Sequence, residues 1–358
     1  MDSALGMRPH SPVNVRLQEM LTEMGREAHR SGEWMVPFGL GHRGRVKGHE
    51  VTLRSFNRIV EYQPQDLVLT VEAGCTLSEI NGQLAEHQQW IPWLAADGQD
   101  DSIGGAVSSA MDSPLLGGYG SLRDRVLAVG VWTPGFGAIL SGGPVVKNVA
   151  GYNLPRLFYG SRGQFGVIGT VTLKVAPKPY RQAVWSHQGS FADTLDFVRS
   201  LEQKTGPWGA LWSQCDQGKC HTNAVWTGSQ ATLDHWVRQL GSPVGEDLNA
   251  LFNQTRGPYA LMGQVPRERL VSLGSEWHGA LLVEWQTGWF WGAVSESGGV
   301  AQRVALSRKF GGDIRATTGI SIPVHAPQGL QNVYQRLKQQ FDPQGILPSQ
   351  EWGNSSHV

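Results

Sequence analysis

The chain has 358 residues, more than one hydrophobic core usually organises, so we expect two domains. Thirty basic and 30 acidic residues give a net charge of zero, which argues against a nucleic-acid-binding protein and against adhesion to anionic membranes through basic residues. Three cysteines are too few, and odd in number, for a disulfide framework. No signal peptide or apolar membrane-spanning run is visible, so we expect a cytoplasmic protein without an integral membrane segment.

The first part of the chain predicts strands and helices that do not alternate regularly, which indicates an α+β fold. The predicted elements are a helix over 13–30, strands at 34–38, 51–53 and 67–71, a helix that a capping-box pattern starts at Thr76, a hairpin of strands at 126–132 and 138–140, and a strand at 167–175. Residues 97–125 are rich in glycine and predict loops. Two prolines end the last strand, so we place a domain boundary after residue 178.

The second part, residues 179–318, holds nine of the fourteen tryptophans. Its pattern predicts helices starting at Ser190 and Ser229 and one over 301–310, with strands at 210–213, 222–226 and 280–285. We therefore expect a second α+β layer whose tryptophans line a core or a cleft. A last helix is predicted over 329–341.

The motif Gly39-x-Gly41-x-x-Gly44 follows a strand and matches the dinucleotide-binding fingerprint. That fingerprint needs a helix next, because the helix N-terminus binds the pyrophosphate. Residues 45–51 lack helical periodicity, so the Rossmann interpretation fails. An anion-binding nest of backbone N–H groups and a plain loop both stay open.

Glycine clusters recur at 102–106, 117–121 and 160–169, each beside an apolar segment. Glycine allows positive φ and lets a ligand approach the main chain closely. One large cofactor lying across all of these loops would explain the clusters. Unrelated turns in a glycine-rich protein would explain them too.

The order of these motifs resembles the FAD-binding domain of the vanillyl-alcohol oxidase, or PCMH, type. The motifs that carry the resemblance are Pro37–His42, Ser102–Gly105, Tyr119–Asp124 and Gly160–Ile168. The resemblance implies an α+β fold: a PCMH-type FAD-binding domain of two α+β subdomains over 1–178, an α+β cap domain over 179–318, and a C-terminal segment over 319–358 whose helix returns to the FAD domain. It also implies FAD as the cofactor. The residues it implies for FAD binding are Phe38, Gly39, Leu40, Gly41, His42, Arg43, Ser102, Gly104, Gly105, Tyr119, Gly120, Ser121, Arg123, Asp124, Gly163, Gly166, Val167 and Ile168.

Two segments resemble a narrower family. Lys147–Asn153 is similar to a segment of the glycolate oxidase FAD-binding subunit, and Leu337–Leu347 resembles the tail of FAD-linked hydroxy-acid oxidases. The resemblance implies an FAD-dependent oxidoreductase acting on the CH–OH group of glycolate or another 2-hydroxy acid. It implies as partners a second flavoprotein subunit and an iron–sulfur subunit, with attachment to the inner membrane through them as one option.

Oxidation of a 2-hydroxy acid needs a cation for the carboxylate and a base for the hydroxyl proton. Arginine suits the carboxylate because its fork binds both oxygens. Arg123, Arg156 and Arg315 are candidates, although for any one of them taken singly a solvated surface residue is the favoured interpretation. Lys147 and Tyr152 lie in the most family-specific motif, so the predicted catalytic set is Lys147, Tyr152 and Arg315.

Neither the base nor a metal site is evident in the sequence. His325 is a candidate base, although a lone histidine is more often structural. His42 would donate to phosphate or, as the alternative, attach FAD covalently. The cluster Cys215, Cys220 and His221 has a spacing that suits no common zinc site, so we expect no metal.

Three hypotheses about function remain open from the sequence. The first is a catalytic subunit of a glycolate oxidase. The second is a non-catalytic FAD-binding subunit that stabilises the complex or relays electrons. The third, a nucleotide-binding module without redox chemistry, depends on one glycine motif alone.

Overall fold

The protein is described by a computed structural model that covers part of the chain. The described residues are 13–38, 48–95, 100–143, 154–203, 208–245, 259–294, 297–316 and 328–349. No helix within these ranges is long and apolar enough to cross a membrane.

The first half of the chain builds a five-stranded antiparallel sheet in the order β3-β4-β8-β6-β7. A parallel pair, β1-β2, and an antiparallel pair, β5-β9, lie outside it. The elements are α1 (Val15–Ser31), β1 (Met35–Phe38), β2 (His49–Thr52), β3 (Ile59–Gln63), β4 (Val68–Glu72), α2 (Leu77–Ala85), β5 (Gln89–Trp90), α3 (Ile103–Ser109), α4 (Leu116–Tyr119), α5 (Leu122–Arg125), β6 (Val126–Thr133), β7 (Gly137–Gly142), α6 (Pro155–Phe158), β8 (Val167–Lys174) and β9 (Ala176–Pro177).

Helix α1 shows how the sequence sets these elements. The Asn14 side chain accepts from the N–H of Arg16 at its start, and Gly32 ends it with φ of +71°. Leu17 and Leu21 are fully buried on its inner face. The predicted helix over 13–30 is therefore confirmed, and so is the capping box that begins α2 at Thr76.

The second half builds a seven-stranded antiparallel sheet in the order β10-β12-β11-β14-β15-β13-β16. Its elements are β10 (Arg181–Ser190), α7 (Phe191–Gln203), β11 (Trp208–Asp216), β12 (Lys219–Gly228), α8 (Gln230–Leu240), β13 (Tyr259–Gln264), α9 (Leu270–Glu276), β14 (Leu281–Glu284), β15 (Trp289–Ala293), α10 (Ser297–Lys309) and β16 (Asp313–Ala316). The last helix of the chain is α11 (Gln328–Phe341). The mixed α and β architecture is the predicted α+β class.

Both faces of the seven-stranded sheet are buried. Trp226 and Trp285 lie in the core on one face, which α7 and α8 cover. Trp212 and Trp291, on the opposite face, belong to the same core as the five-stranded sheet. Period-2 alternation along each strand thus divides the tryptophans between two cores.

Three helices, α3, α4 and α5, lie where the sequence predicted loops over 97–125, so that prediction was wrong. Glycine lowers helix propensity, and α3 and α4 each contain two glycines. Tertiary contacts override the propensity. A Cβ on Gly118 would lie 2.3 Å from the carbonyl oxygen of Gly209, so glycine lets α4 lie directly on β11.

Seven strands were not predicted: β3, β5, β9, β10, β13, β15 and β16. Strand β15 carries three aromatic residues and a glycine in a row, which a period-2 pattern does not distinguish from a core segment. The sheets change between β9 and β10, close to the predicted boundary at 178. The predicted domain limits stay a prediction.

Cys215 and Cys220 form a disulfide across the β11–β12 hairpin, where they are directly paired residues. The cysteine count did not predict this bond, because a single cross-strand link needs no framework. The remaining cysteine, Cys75, is buried, and burial together with the nearby Glu79 and Glu72 raises the pKa of its thiol to about 12.

The tight α4–β11 contact gives a test by substitution. Gly118→Ala places a methyl group against backbone, so we expect a loss of about 1–3 kcal/mol in the free energy of unfolding. Gly82→Ala is the control: Gly82 is exposed on α2 with open space around it, and alanine there should stabilise by up to about 1 kcal/mol. Chemical denaturation measures both. Equal effects of the two substitutions would contradict the contact.

Thiol counting tests the cysteine assignments. The folded protein should not react with a thiol reagent at mildly alkaline pH, because Cys75 is buried and protonated. After unfolding without reductant, one thiol per chain should react. Three reactive thiols would show that Cys215 and Cys220 are not joined.

Candidate functional site

Glycine motifs from distant parts of the sequence meet beside α3. The backbone N–H groups of Gly160 and Arg162 donate to carbonyl oxygens near the end of α3, both at 2.9 Å. A Cβ on Gly163 would lie 2.8 Å from the ring of Pro37, next to the end of β1. Gly163 has φ of +77°, which favours glycine. The loop over 160–166 therefore lies between α3 and β1.

The predicted residues Ser102, Gly104 and Gly105 form the start of α3. The Ser102 hydroxyl oxygen accepts from the N–H of Gly105 at 3.2 Å, and the N–H of Gly104 donates to the carbonyl of Ala73 at 2.9 Å. A Cβ on Gly104 would lie 2.7 Å from that of Ala73. Glycine here brings α3 against the chain that leaves β4, which is a packing reason for glycine at position 104.

Gly166, Val167 and Ile168 continue the same loop into β8. A Cβ on Gly166 would lie 2.5 Å from a methyl carbon of Val131 on β6, and Val167 and Ile168 are buried. Close strand packing explains this glycine. Phe38, at the end of β1, is half-buried beside the loop.

The motif over 119–124 joins this region through a buried carboxylate. Ser121 donates its hydroxyl to Asp112 at 2.8 Å and caps α5 by accepting from the N–H of Arg123 at 3.1 Å. Gly120, with φ of +78°, lets the chain turn between α4 and α5. Tyr119 packs edge-on against Trp90 at 5.2 Å between ring centroids.

The outer side of α5 is open to solvent. Arg123 and Asp124 are both exposed, and Asp124 pairs with Arg156 at 3.7 Å. An exposed pair of this kind contributes little to stability. Arg156 is thus accounted for as a surface residue.

Arg315 reaches the same carboxylate from the other sheet. It lies on β16, and its guanidinium donates to Asp112 at 3.4 Å. One face of the guanidinium lies 5.0 Å from the ring centroid of Trp289 on β15. Tyr159, which follows α6, donates its hydroxyl to the other oxygen of Asp112 at 3.4 Å. Asp112 is therefore the point where residues from both halves of the chain meet.

Burial shifts the pKa values of both Asp112 and Arg315, although part of the Arg315 side chain is open to solvent. Burial raises the pKa of the Asp112 carboxyl, opposed by Ser121 and Arg315. Burial lowers the pKa of Arg315, opposed by Asp112 and Tyr159. Yet 36% of the Arg315 side chain is accessible to solvent. Asp112 and Trp289 thus enclose part of the Arg315 side chain and the rest is open to solvent; we call this partly open region between the two sheets the recess.

The sequence missed Asp112, Tyr159 and Arg162 as members of this cluster. Asp112 belongs to no recognised motif and Tyr159 lies one residue before the Gly160–Ile168 motif, and only the fold brings the two residues to Arg315. Arg162 had a local signal, since it is a charged residue inside the run Gly160–Gly163.

Several predicted residues lie outside the described ranges. They are Gly39, Leu40, Gly41, His42, Arg43, Lys147, Tyr152 and His325. Their predicted roles stay predictions. Within the described ranges, no group of three or more histidine, cysteine, aspartate or glutamate residues could hold a metal ion.

Comparison with known proteins gives a family match for the first half of the chain. Residues 13–142 match the family model described as FAD binding domain. The chain carries an FAD-binding domain. A solved structure of alkyldihydroxyacetonephosphate synthase covers 95% of this chain and 75% of its own, with a TM-score of 0.64 and 16% identity, which supports the fold alone.

Two curated relatives extend the similarity. The chain is 28% identical over 318 residues to glycolate oxidase subunit GlcE of Escherichia coli (strain K12), covering 84% of this chain and 86% of that protein. It is 30% identical over 211 residues to a probable mitochondrial D-lactate dehydrogenase of Danio rerio, covering 54% of this chain but only 40% of that protein. The predicted similarity to PCMH-type flavoproteins and to a glycolate oxidase subunit is confirmed.

The described residues of the FAD-binding domain fit an extended cofactor. Glycines in the left-handed region at 120, 160 and 163 let backbone run close to a ligand, and accessible arginines line the adjoining recess. We expect Ser102, Gly120, Ser121 and Gly163 to contribute to holding FAD. Gly104 and Gly166 also pack closely against neighbouring elements, and their predicted contact with FAD stays a prediction.

The C-terminal helix supports the loop that completes this site. Lys338 on α11 donates to the carbonyl of Gln164 at 2.8 Å and to those of Leu347 and Pro348 at 3.0 and 2.8 Å. Its ammonium also pairs with Asp342 at 2.8 Å. Burial lowers the pKa of Lys338, opposed by Asp342. One buried cation therefore ties the 160–166 loop to the end of the chain.

Replacing this cation tests its supporting role. Lys338→Met removes the donor to three carbonyls and the positive charge beside the buried Asp342 carboxylate, which keeps its backbone donors Ile346 and Leu347, so we expect a loss of about 2–4 kcal/mol in the free energy of unfolding. Flavin affinity should fall with it, because the loop loses its support. Arg336→Met, on the exposed side of the same helix, is the control. Comparable losses in the two variants would contradict a specific role for Lys338.

Proposed function

We propose that the protein is an FAD-dependent oxidoreductase that acts on the CH–OH group of a 2-hydroxy acid, as a subunit of a glycolate oxidase complex. The relative that covers most of the chain is named a glycolate oxidase subunit, and a second is named a D-lactate dehydrogenase. Glycolate and lactate are both small 2-hydroxy acids. The observation that carries the proposal is the Arg315–Asp112 contact in the recess between the sheets.

Arg315 suits the carboxylate of such a substrate. Its charge is permanent, and its planar fork can donate to both carboxylate oxygens. Asp112 holds one side of the guanidinium, and Trp289 covers one face at 5.0 Å. The exposed remainder faces the recess, so the arginine is oriented before a substrate arrives.

The surrounding groups define what a bound hydroxy acid would meet. When FAD is bound, it supplies the two-electron acceptor that the oxidation requires. The residues of this chain bind and orient the substrate and exclude water. Tyr159 and Ser121 both donate to one oxygen of Asp112, which fixes that carboxylate.

A non-catalytic FAD-binding subunit is the second candidate. Among the described residues, no histidine hydrogen-bonds to Asp112, Tyr159 or Arg315, so a ready general base is not in place there. The predicted base His325 lies outside the described ranges. In this alternative the chain would hold flavin for structure or electron relay within the complex.

The partners we propose follow from the same comparison. A relative named as a subunit indicates a multi-subunit complex, and the sequence resemblance implies a second flavoprotein and an iron–sulfur subunit. The proposed location, cytoplasmic or at the inner membrane through partners, stays a prediction.

Anaerobic mixing with glycolate separates the two candidates. The purified chain should show flavin absorption bands, and a catalytic chain should lose the oxidised bands when glycolate is added. Retained bands after mixing would favour the non-catalytic subunit. Absence of any flavin from the purified chain would contradict both.

Removal of the proposed carboxylate ligand gives a quantitative prediction. Arg315→Met should lower kcat/KM for glycolate about 100-fold, the loss of about 3 kcal/mol expected for a charge-assisted pair of hydrogen bonds. Flavin content should not change. Arg308→Met, exposed on α10 of the same half, is the control and should keep full activity. Normal kcat/KM in the Arg315 variant would rule out the assigned role.

A further inference from the structure

The backbone of Arg162 adopts a left-handed conformation that favours glycine, within a loop that has glycine at positions 160 and 163. Its φ is +51°, in the left-handed region that is unfavourable for a residue with a Cβ. Its neighbours Gly160 and Gly163 have similar φ values without that cost. The loop therefore keeps an arginine where glycine would relieve the strain, which indicates a use for the side chain.

The fold brings this arginine to the recess described above. The Arg162 N–H donates to the carbonyl of Ser108 at 2.9 Å, which fixes the residue against the end of α3. That end leads within four residues to Asp112, the partner of Arg315. Tyr159, three residues before Arg162, also donates to Asp112.

The side chain of Arg162 is exposed, yet it is not at an open surface. Burial lowers its pKa, and the nearby charge of Arg315 lowers it further. Like the Arg315 side chain, the Arg162 side chain is partly surrounded by protein and remains accessible to solvent. Because the Arg162 loop is fixed to the end of α3 and, through Tyr159, to Asp112, Arg162 and Arg315 are neighbouring cations at one recess, and neighbouring cations favour an anion between them.

We propose that Arg162 is the second arginine of an anion clamp, in which it and Arg315 bind the carboxylate of the substrate from opposite sides of the domain interface. The inference rests on the proposed function, since it assigns a binding residue for the 2-hydroxy acid. Each half of the chain contributes one cation, so the carboxylate binds only where the two sheets are docked. The ligand class is a small carboxylate.

Because the backbone of Arg162 is strained, replacing this residue with glycine separates the role of its side chain from effects on folding. Arg162→Gly removes the guanidinium and also relieves the left-handed strain, so the variant should fold with an unfolding midpoint equal to or above that of the wild type. Loss of binding could then not be explained by loss of fold. Gln217→Gly is the matched control, because Gln217 has φ of +48° in the exposed β11–β12 turn.

The measurement is calorimetric titration of the purified flavin-containing protein with oxalate, a two-carbon carboxylate with no C–H bond to oxidise. We expect Arg162→Gly to weaken oxalate binding about 10- to 100-fold, as for loss of one charge-assisted contact. Flavin content should equal that of the wild type. Gln217→Gly should bind oxalate like the wild type, and Arg162→Lys should give an intermediate affinity because it keeps the charge without the fork.

Different results would overturn different claims. Wild-type affinity for oxalate in Arg162→Gly would overturn the clamp and leave the proposed function standing. Loss of flavin from that variant would overturn the clamp by assigning Arg162 to the cofactor. If the flavin-containing wild type binds no oxalate, the proposed substrate class fails, and the clamp fails with it.

Discussion

The organisation of the molecule depends on burial of both faces of the seven-stranded sheet. One face is covered by the helices of its own half, and the other packs on the FAD-binding domain through side chains such as Trp212 and Trp291. Fully burying a large apolar side chain contributes about 1.5–3 kcal/mol, so this second face is a strong attachment. Because the sheet is attached in this way, Arg315 on its edge strand β16 lies against Asp112 of the other half.

The packing between the two halves adds a second explanation for the glycine-rich sequence. A cofactor lying across every glycine loop was the simplest interpretation of the clusters. The structure shows that several of these glycines also allow close packing: Gly104 against the end of β4, Gly118 against β11 and Gly166 against β6. Gly120, Gly160 and Gly163 have positive φ, so the backbone conformation itself favours glycine there. The same residue type thus serves both the domain contact and the cofactor site.

The parts of the fold with local signals could be predicted from the sequence, and the parts set by tertiary contacts could not. Helix α1 and the capping box of α2 follow from periodicity and capping. Helix α3 was missed because its stability comes from contact with Ala73 and not from propensity. Arg315 was a candidate on chemical grounds, but its partner Asp112 lies 203 residues away and has no motif. Asp112 could be identified as the partner of Arg315 only from the fold.

The central claim is that the two halves of the chain form one site in the recess that Arg315 and Asp112 line. A crystal structure of the protein with FAD and oxalate bound tests this most directly. The account predicts oxalate in direct contact with the Arg315 guanidinium, with the reactive ring of the flavin beside it. A flavin ring that lies away from this recess, with Arg315 touching neither ligand, would contradict the account.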